Sequence, residues 1–305
     1  MAIGQGVIMY VTPSAPLSIG GVIDDAIRLY RYSFSRCWLL ALFPAVAFGA
    51  WGLIMARHLP GYDTAYSPAA RIAIAKQHPL PGVMVFYIMI LSLISLSFQG
   101  ALAAKQAAVA RGDDSFTLGR AFATGILRLP AFILSSILLY LVIIGFMAVM
   151  VIPLALLLGA THLMSRAVAP IAFGLPVFVA MLAIMGRMQL FMAAIYIDRE
   201  GPLASLKSSW RLTRGHWWRA IAILTTVIIM LMVLYVALSA LGYLGGYLTH
   251  HGPVDHFLIA PLLVVATYTA IYPLGAAVWV SMYHDFKLRR EGGDLAARVG
   301  ALNSA

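Results

Sequence analysis

Charged residues are scarce in this sequence, and that scarcity excludes most classes of protein. Only 10% of the 305 residues are Asp, Glu, Lys or Arg, and 62% are hydrophobic, whereas a soluble globular chain has about 25% charged residues. So small a polar fraction cannot cover the surface of a water-soluble particle of this size. The single cysteine, Cys37, excludes a disulfide scaffold within the chain. The composition therefore predicts an integral membrane protein.

What the sequence has instead is long hydrophobic runs. A membrane-spanning helix needs about 20 mostly apolar residues, and the runs are continuous, which favours helices over the alternating strands of a barrel. The sequence thus predicts an all-α polytopic membrane protein with a six-span domain over 38–283, an N-terminal arm over 1–37 that carries an amphipathic helix, and a tail over 284–305. The six predicted spans are Trp38–Ala56, Val83–Ala104, Leu129–Gly159, Ala167–Tyr196, Ala220–Leu248 and Phe257–Tyr283.

The basic residues are distributed unevenly among the segments that connect these spans. Alternate segments hold seventeen Lys and Arg on one side and four on the other. Because cytoplasmic segments are enriched in Lys and Arg, both termini and the second and fourth loops are predicted to be cytoplasmic. We interpret the net charge of +10 as a signal of topology and expect no nucleic-acid partner. The seventeen are Arg28, Arg31, Arg36, Lys105, Arg111, Arg120, Arg128, Arg187, Arg199, Lys207, Arg211, Arg214, Arg219, Lys287, Arg289, Arg290 and Arg298.

Three of the cytoplasmic segments resemble one another. The stretch AIRLYRYSFSRCWLL around Arg28 aligns with SWRLTRGHWWRAIAIL around Arg211, so that Arg31 matches Arg214. A weaker copy, ILRLPAFIL, places Arg128 at the same position as Arg28. The alignment predicts a threefold repeat, in which each unit is a short amphipathic helix followed by a two-span hairpin.

The short helices are predicted to have one polar face and one apolar face. Basic amphipathic helices with aromatic residues lie in the plane of the lipid headgroups, although basic residues at these positions also serve simply to set topology. In the first copy the polar stripe comprises Asp24, Asp25, Arg28, Arg31, Tyr32, Ser35 and Arg36. In the third copy, Leu203, Leu206, Trp210 and Trp217 are expected on one side and Lys207, Ser208, Arg211 and Arg214 on the other.

Arg187 is the exception to the apolar character of the spans. It lies eleven residues before Asp198, inside the fourth predicted span, with Gln189 beside it. An arginine at such a depth faces the bundle or reaches toward the headgroups, because exposure to lipid is costly. One interpretation is a site for an anionic group such as a lipid phosphate. The other is a structural arginine bonded to neighbouring carbonyl groups, or a span that ends earlier.

The sequence contains no recognisable catalytic set. All eleven carboxylates are placed in predicted loops or tails, and ion-coupled transporters commonly keep an acid inside a span. There is no phosphate-binding loop, serine elbow or CxxC pair, so we expect neither an enzyme nor a cofactor. His162 and the segment HHGPVDH from His250 to His256 supply ligand types for zinc, but Gly252-Pro253 is ordinary turn chemistry and no metal site is predicted.

Three segments resemble a known family. They are YIDREGPLASLKSSWRLTRGHWWR at 196–219, GALAAKQAAVARGDDSFTLGRAF at 100–122 and YHDFKLRREGGDL at 283–295. Together they resemble the bacterial membrane domain named after glycerophosphoryl diester phosphodiesterase and, more distantly, YciC-like inner-membrane proteins. The resemblance implies a multi-span protein of the bacterial inner membrane. It implies no phosphodiesterase, because no segment outside the predicted spans is long enough to hold that catalytic domain.

These observations predict a non-enzymatic membrane module whose basic cytoplasmic face binds anionic lipid headgroups or a protein partner. The alternative is a transporter or lipid translocator with a cavity near Arg187. The candidate residues for binding lipid or another anion are Arg187, Gln189, Arg28, Arg31, Arg128, Arg211 and Arg214.

Overall fold

The computed structural model describes residues 10–58, 82–161, 168–249 and 253–292. Within these ranges the ordered elements are helices, and no strand occurs. A single π-helical turn, Leu288–Gly292, follows the last α-helix. The α-helices are α1 (Ile19–His58), α2 (Gly82–Ala110), α3 (Leu118–Thr161), α4 (Val168–Met188), α5 (Phe191–Ile197), α6 (Pro202–Thr213), α7 (Trp217–Thr249) and α8 (Pro253–Lys287).

Six helical segments of the described chain are long and apolar enough to cross a membrane, which confirms the predicted number. Their mean hydropathy ranges from 1.2 to 2.6. The chain is therefore a multi-pass membrane protein of helices. The six segments are Ile19–Trp51, Gly82–Ala110, Leu118–Met150, Val177–Ile197, Trp217–Leu234 and Val265–Gly292.

The helix ends differ from the predicted span ends in an informative way. The predicted border between arm and membrane domain, at residue 38, falls inside the continuous helix α1, and the border at 284 falls inside α8. The fourth predicted span is found, but its helix is interrupted, because α4 ends at Met188 and a turn precedes α5. Hydropathy finds where a chain is apolar, but it carries no information on where backbone hydrogen bonds stop.

A separate short helix before a span is present only in the third of the three similar segments. There α6 ends at Thr213 and α7 starts at Trp217. In the first segment the helix runs through Arg28 and Arg36 without interruption, and in the second it runs through Arg128 and Pro130. The described residues therefore show one helix-plus-span junction of the predicted kind.

The described residues divide into two compact units. One comprises Tyr10 and the described residues within Ile27–Leu127 and Ile228–Ala277, and the other comprises Val11–Ala26 and the described residues within Arg128–Val227 and Val278–Ala305. We call them unit 1 and unit 2.

The core of unit 1 is built from small and medium apolar side chains that allow helices to approach closely. A β-carbon added at Gly125 on α3 would lie 2.2 Å from the Ser97 carbonyl oxygen on α2, so only glycine fits there. The buried amide of Gln106 donates to Ser33 Oγ at 3.2 Å and to the Pro273 carbonyl at 2.8 Å. The buried apolar cluster comprises Cys37, Leu40, Ala41, Phe98, Ala101, Leu102, Ala121 and Ala276.

Unit 2 contains the broken fourth span and the short helix α6. Phe132 of α3 stacks on Phe191 of α5 at 5.5 Å between ring centroids. A β-carbon on Gly186 of α4 would lie 2.8 Å from Ile221 Cγ1 on α7, which marks a second close helix approach. Outward-facing apolar side chains are abundant on α3, where only 11% of the most hydropathic window is buried. Such a surface suits lipid rather than water.

Candidate functional site

The break between α4 and α5 is closed by a hydroxyl group from α6. The turn at Gln189 and Leu190 interrupts the α-helical hydrogen bonds of the fourth span. The Leu190 N–H donates to Ser209 Oγ at 3.1 Å, and the Ser209 hydroxyl donates to the Arg187 carbonyl at 2.7 Å. One side chain thus satisfies a backbone donor and a backbone acceptor that a broken helix leaves free. The same two bonds hold α6 against the end of α4.

Helix α6 turns a face of small polar residues toward the rest of unit 2. It begins after Gly201 with Pro202 at its first position, where the missing N–H of proline costs nothing. The Ser205 side chain donates to the Pro202 carbonyl at 2.8 Å, and the Ser208 hydroxyl donates to Glu200 Oε1 at 3.0 Å. The buried residues of this face are Ser205, Ser208, Ser209, Leu212 and Thr213.

This arrangement corrects the predicted faces of the third short helix. Ser208 was placed on the exposed basic side, but it is only 6% exposed. Leu203 and Trp210, which were expected on the side opposite the basic residues, are exposed together with Lys207 and Arg211, at 61% for Leu203 and 44% for Trp210. The hydroxyl groups are buried because they have hydrogen-bond partners in α3, α4 and the loop before α6. Periodicity considers one helix at a time and does not identify partners in other elements.

The outward side of α6 combines two kinds of residue. Leu203 and Trp210 form an apolar strip, and the exposed cations Lys207 and Arg211 lie next to it on the same side of the helix. Within the described residues, neither cation is paired with a carboxylate. We call Leu203, Lys207, Trp210 and Arg211 the α6 strip.

Arg187 joins the α6 strip from the end of α4. Its guanidinium carbon lies 4.2 Å from the centroid of the Trp210 ring, a cation–π contact. The residue is in the last turn of α4, where a positive charge complements the helix dipole. The α-helix itself ends one residue after Arg187, whereas the apolar segment that is long enough to cross a membrane continues to Ile197. The depth of Arg187 stays a prediction. No carboxylate of the described chain pairs with this guanidinium.

The other candidate residues are placed as follows. Gln189 lies in the turn after α4, and Arg214 is the extended residue that follows α6. Arg128 of α3 donates to the Arg199 carbonyl at 2.7 Å. Arg28 and Arg31 are exposed on α1 within unit 1. Among the candidate residues, Arg187 contacts the third similar segment within unit 2, through the Trp210 ring.

Two acids that sequence reasoning left on polar surfaces are buried within helices. Asp25, expected on the exposed stripe of the first short helix, is 1% exposed, and Asp285, expected in the tail, is 2% exposed. Both expectations were wrong, because neighbouring donors, which hydropathy does not see, make the burial of a carboxylate tolerable.

Asp285 forms a bonded node, which we call the Asp285 node. Its carboxylate accepts from the Leu17 N–H at 2.8 Å, from Arg219 Nε at 3.0 Å and from Arg289 Nε at 3.1 Å. Both arginines also donate to the Leu17 carbonyl. The node ties together the chain before α1, the start of α7 and the end of α8. In the sequence, the only local feature that points to this node is the four-residue spacing between Asp285 and Arg289.

Asp114, in the loop between α2 and α3, forms an ion pair with Arg36 of α1, with 2.6 Å between Nη1 and Oδ1. In the same loop the Ser115 hydroxyl donates to Asp113 Oδ1 at 2.6 Å. This hydrogen bond, aided by the backbone and by Arg111, lowers the pKa of Asp113 below its ordinary value. The loop balances its own charges, since Asp113 and Asp114 accompany Arg111 and Arg120.

No group of three or more His, Cys, Asp or Glu that suits a metal ion occurs in the part of the chain that the structure describes. His162, His250 and His251 lie outside the described residues. Asp255 and His256 belong to the first turn of α8.

The family model of a domain of unknown function, DUF7847, matches residues 65–286. Comparison with curated proteins gives no match, and neither does comparison with solved structures. The matched region includes α2 to α7 and nearly all of α8, and therefore the α6 strip, Arg187 and the Arg219 and Asp285 side chains of the node, whereas Leu17 and Arg289 lie outside it. Because the match covers more than half of the chain, this protein belongs to the DUF7847 family.

Proposed function

We propose that the protein is a non-enzymatic membrane module that binds anionic lipid headgroups through the α6 strip. The observation that carries this proposal is the exposure of Leu203 and Trp210 beside two unpaired cations on a helix whose other face is bonded to the bundle. An apolar strip edged by cations is the pattern of a helix in the headgroup plane. Anionic lipids satisfy both halves of it, whereas a soluble anion satisfies only the charge.

The proposed placement agrees with the charge distribution. We propose that both termini and α6 lie on the cytoplasmic side, because the basic residues concentrate there. The stacked pair Trp217–Trp218, with ring centroids 4.5 Å apart, stands at the start of α7, and tryptophans are enriched at membrane interfaces. Location in a bacterial inner membrane, and kinship with the membrane domain of glycerophosphoryl diester phosphodiesterases, rest on the resemblance of three segments.

The threefold repeat is part of this proposal. The aligned basic segments at Arg28, Arg128 and Arg211 present exposed or half-buried arginines, so each copy offers charge to a headgroup. Only the third copy adds exposed apolar residues on a separate helix. We therefore assign the main lipid contact to the third copy.

Lipid translocation near Arg187 and Gln189 is the alternative. Broken helices in transporters expose backbone groups that hold substrates or ions, and the break after Met188 is of that general kind. Here, however, the Leu190 N–H and the Arg187 carbonyl are both bonded to Ser209. These contacts favour binding at the outward strip over coordination inside the break.

The test uses the full chain in detergent micelles and two short-chain lipids, dioctanoyl phosphatidylglycerol and dioctanoyl phosphatidylcholine. Native mass spectrometry measures the affinity for each. Each Lys or Arg near anionic lipid contributes about 1 kcal/mol, so Lys207→Gln with Arg211→Gln should lower the phosphatidylglycerol affinity by about tenfold or more. The matched control is Arg111→Gln with Arg120→Gln, which removes the same charge from a loop that carries its own carboxylates.

Equal affinity of the native chain for the two lipids would overturn the proposal. So would an equal loss in the α6 and control variants, because the charge would then act from anywhere on the protein. If the full chain kept a bound protein partner and showed no preference between the two lipids, the protein-binding alternative would be favoured.

A further inference from the structure

We propose that Arg187, lying on the Trp210 ring, is a preformed seat for the phosphate of an anionic lipid. This inference deepens the lipid-binding function proposed above and rests on it. It separates one contact of defined geometry, between Arg187 and a phosphate, from the general electrostatic attraction of the α6 strip for anionic lipid. The phosphate is the shared chemistry, and the lipid headgroup is the source to which we commit.

The backbone beneath Arg187 is held in place. Its carbonyl accepts from the Ser209 hydroxyl at 2.7 Å, and that hydroxyl oxygen accepts in turn from the Leu190 N–H at 3.1 Å. The Thr213 hydroxyl approaches the Arg187 carbonyl to 3.2 Å. The residue that carries the guanidinium is therefore fixed to α6 at the helix break, instead of being free to move at a frayed helix end.

The side chain is oriented by Trp210. One face of the guanidinium lies over the indole ring, and its carbon is 4.2 Å from the ring centroid. This contact does not involve the N–H groups at the edge of the guanidinium plane. Within the described chain, none of these N–H groups donates to a protein acceptor. Five donors in a fixed fork match two oxygens of a phosphate, so the unused edge is chemically suited to that group.

The surroundings favour an anion and exclude a competing acid. Lys207 and Arg211 lie three residues before and one residue after Trp210, and both are exposed. Glu200, the acid nearest to α6 in the sequence, accepts a hydrogen bond from Ser208 on the opposite, buried side of that helix. Leu203 and Trp210 extend the apolar surface on which acyl chains would rest. A free phosphate would gain nothing from this surface.

The experiment compares variants that keep the charge but change its shape. Arg187→Lys retains the positive charge and loses the planar fork, and Arg120→Lys makes the same change at an exposed arginine of α3 that lies outside the α6 strip. In full-length protein in micelles, we expect Arg187→Lys to weaken dioctanoyl phosphatidylglycerol binding by about tenfold, because Lys cannot replace Arg at a bidentate, stacked site. Arg120→Lys should change it by less than about twofold.

A second pair of variants tests the ring. Trp210→Leu removes the platform and should weaken the same affinity, whereas Trp210→Phe keeps an aromatic face and should restore most of it. This pair remains informative if Arg187→Lys does not fold. Inorganic phosphate is the competitor that identifies the source of the anion, and we expect it to displace the lipid only at concentrations far above that of the lipid itself.

The outcomes separate the two proposals. Equal effects of Arg187→Lys and Arg120→Lys, with the native preference for phosphatidylglycerol intact, would overturn the seat and leave the lipid-binding function standing. Loss of that preference in the native chain would overturn both. Displacement by inorganic phosphate at concentrations equal to those of the lipid would assign the seat to a free anion and overturn the lipid source.

Discussion

Arg36 and Arg219 occupy the same position in two aligned segments, and both form an ion pair with an aspartate. In unit 1, Arg36 pairs with Asp114, and the two side chains are 37% and 75% exposed. In unit 2, Arg219 pairs with Asp285, and the corresponding values are 14% and 1%. The same sequence position therefore carries a surface pair in one unit and a buried node in the other.

The two aligned segments also differ in the backbone. Arg28 to Arg36 lie within one helix, whereas Arg211 and Arg219 are separated by the junction of α6 and α7. The alignment places Tyr32 opposite Gly215, and Gly215 has φ +85°. Glycine adopts this left-handed conformation without the steric cost that a β-carbon imposes. This glycine lies in the turn that separates α6 from α7, at the position where α1 continues without a break.

The largest expected effect is on the buried node. Asp285→Asn removes the carboxylate that faces Arg219 and Arg289, and breaking a buried pair by removing one partner costs about 3–5 kcal/mol. We expect a loss of about 3 kcal/mol in the free energy of unfolding, measured by SDS titration of the full chain in mixed micelles. Asp114→Asn is the matched control, since exposed pairs contribute about 0.2–1 kcal/mol. Equal losses in the two variants would show that burial does not distinguish the pairs.

A smaller effect is expected at the junction. Gly215→Ala places a β-carbon at φ +85°, which costs roughly 1–2 kcal/mol. The same SDS titration measures this loss of stability. Gly145→Ala is the control, because Gly145 is helical and a β-carbon there meets nothing within 4 Å. Alanine should be neutral or stabilising at that position. A stable Gly215→Ala variant would mean that the junction is not maintained by glycine.

The smallest effect concerns the loop that holds Asp114. The Ser115 hydroxyl is the main cause of the lowered pKa of Asp113, so Ser115→Ala should raise that pKa toward its ordinary value. Because the folded pKa is the lower one, the ionised Asp113 favours folding above its unfolded pKa. That contribution is lost as the pH falls through the folded pKa.

Carbon-13 NMR of Asp-labelled protein measures the change. Thr117→Ala, which removes the hydroxyl that accepts from the Arg120 N–H, should leave the pKa of Asp113 where it is. A pKa that rises in both variants would assign the shift to the loop as a whole.

Much of the candidate site was predictable residue by residue, but its geometry was not. Arg187, Arg211 and Arg214 stand out as cations in an apolar chain, and an amphipathic pattern marks α6. The predicted division of α6 into an apolar and a polar side was wrong for Ser208, which is buried beside Ser209. Ser209 is buried because it bonds to the backbone at the end of α4. Nothing within residues 202–213 indicates where α4 ends.

The amino-acid sequence by itself determined that the described part of the chain is helical, with six segments long and apolar enough to cross a membrane, since apolar length and the demand for internal backbone bonds leave little choice. Tertiary structure alone decided that Arg187 rests on Trp210, that Ser209 closes the broken span and that Asp285 is buried between two arginines. Each of these depends on side chains from different helices meeting within hydrogen-bond or ring-contact distance. Hydropathy and periodicity describe one segment at a time and contain no such distances.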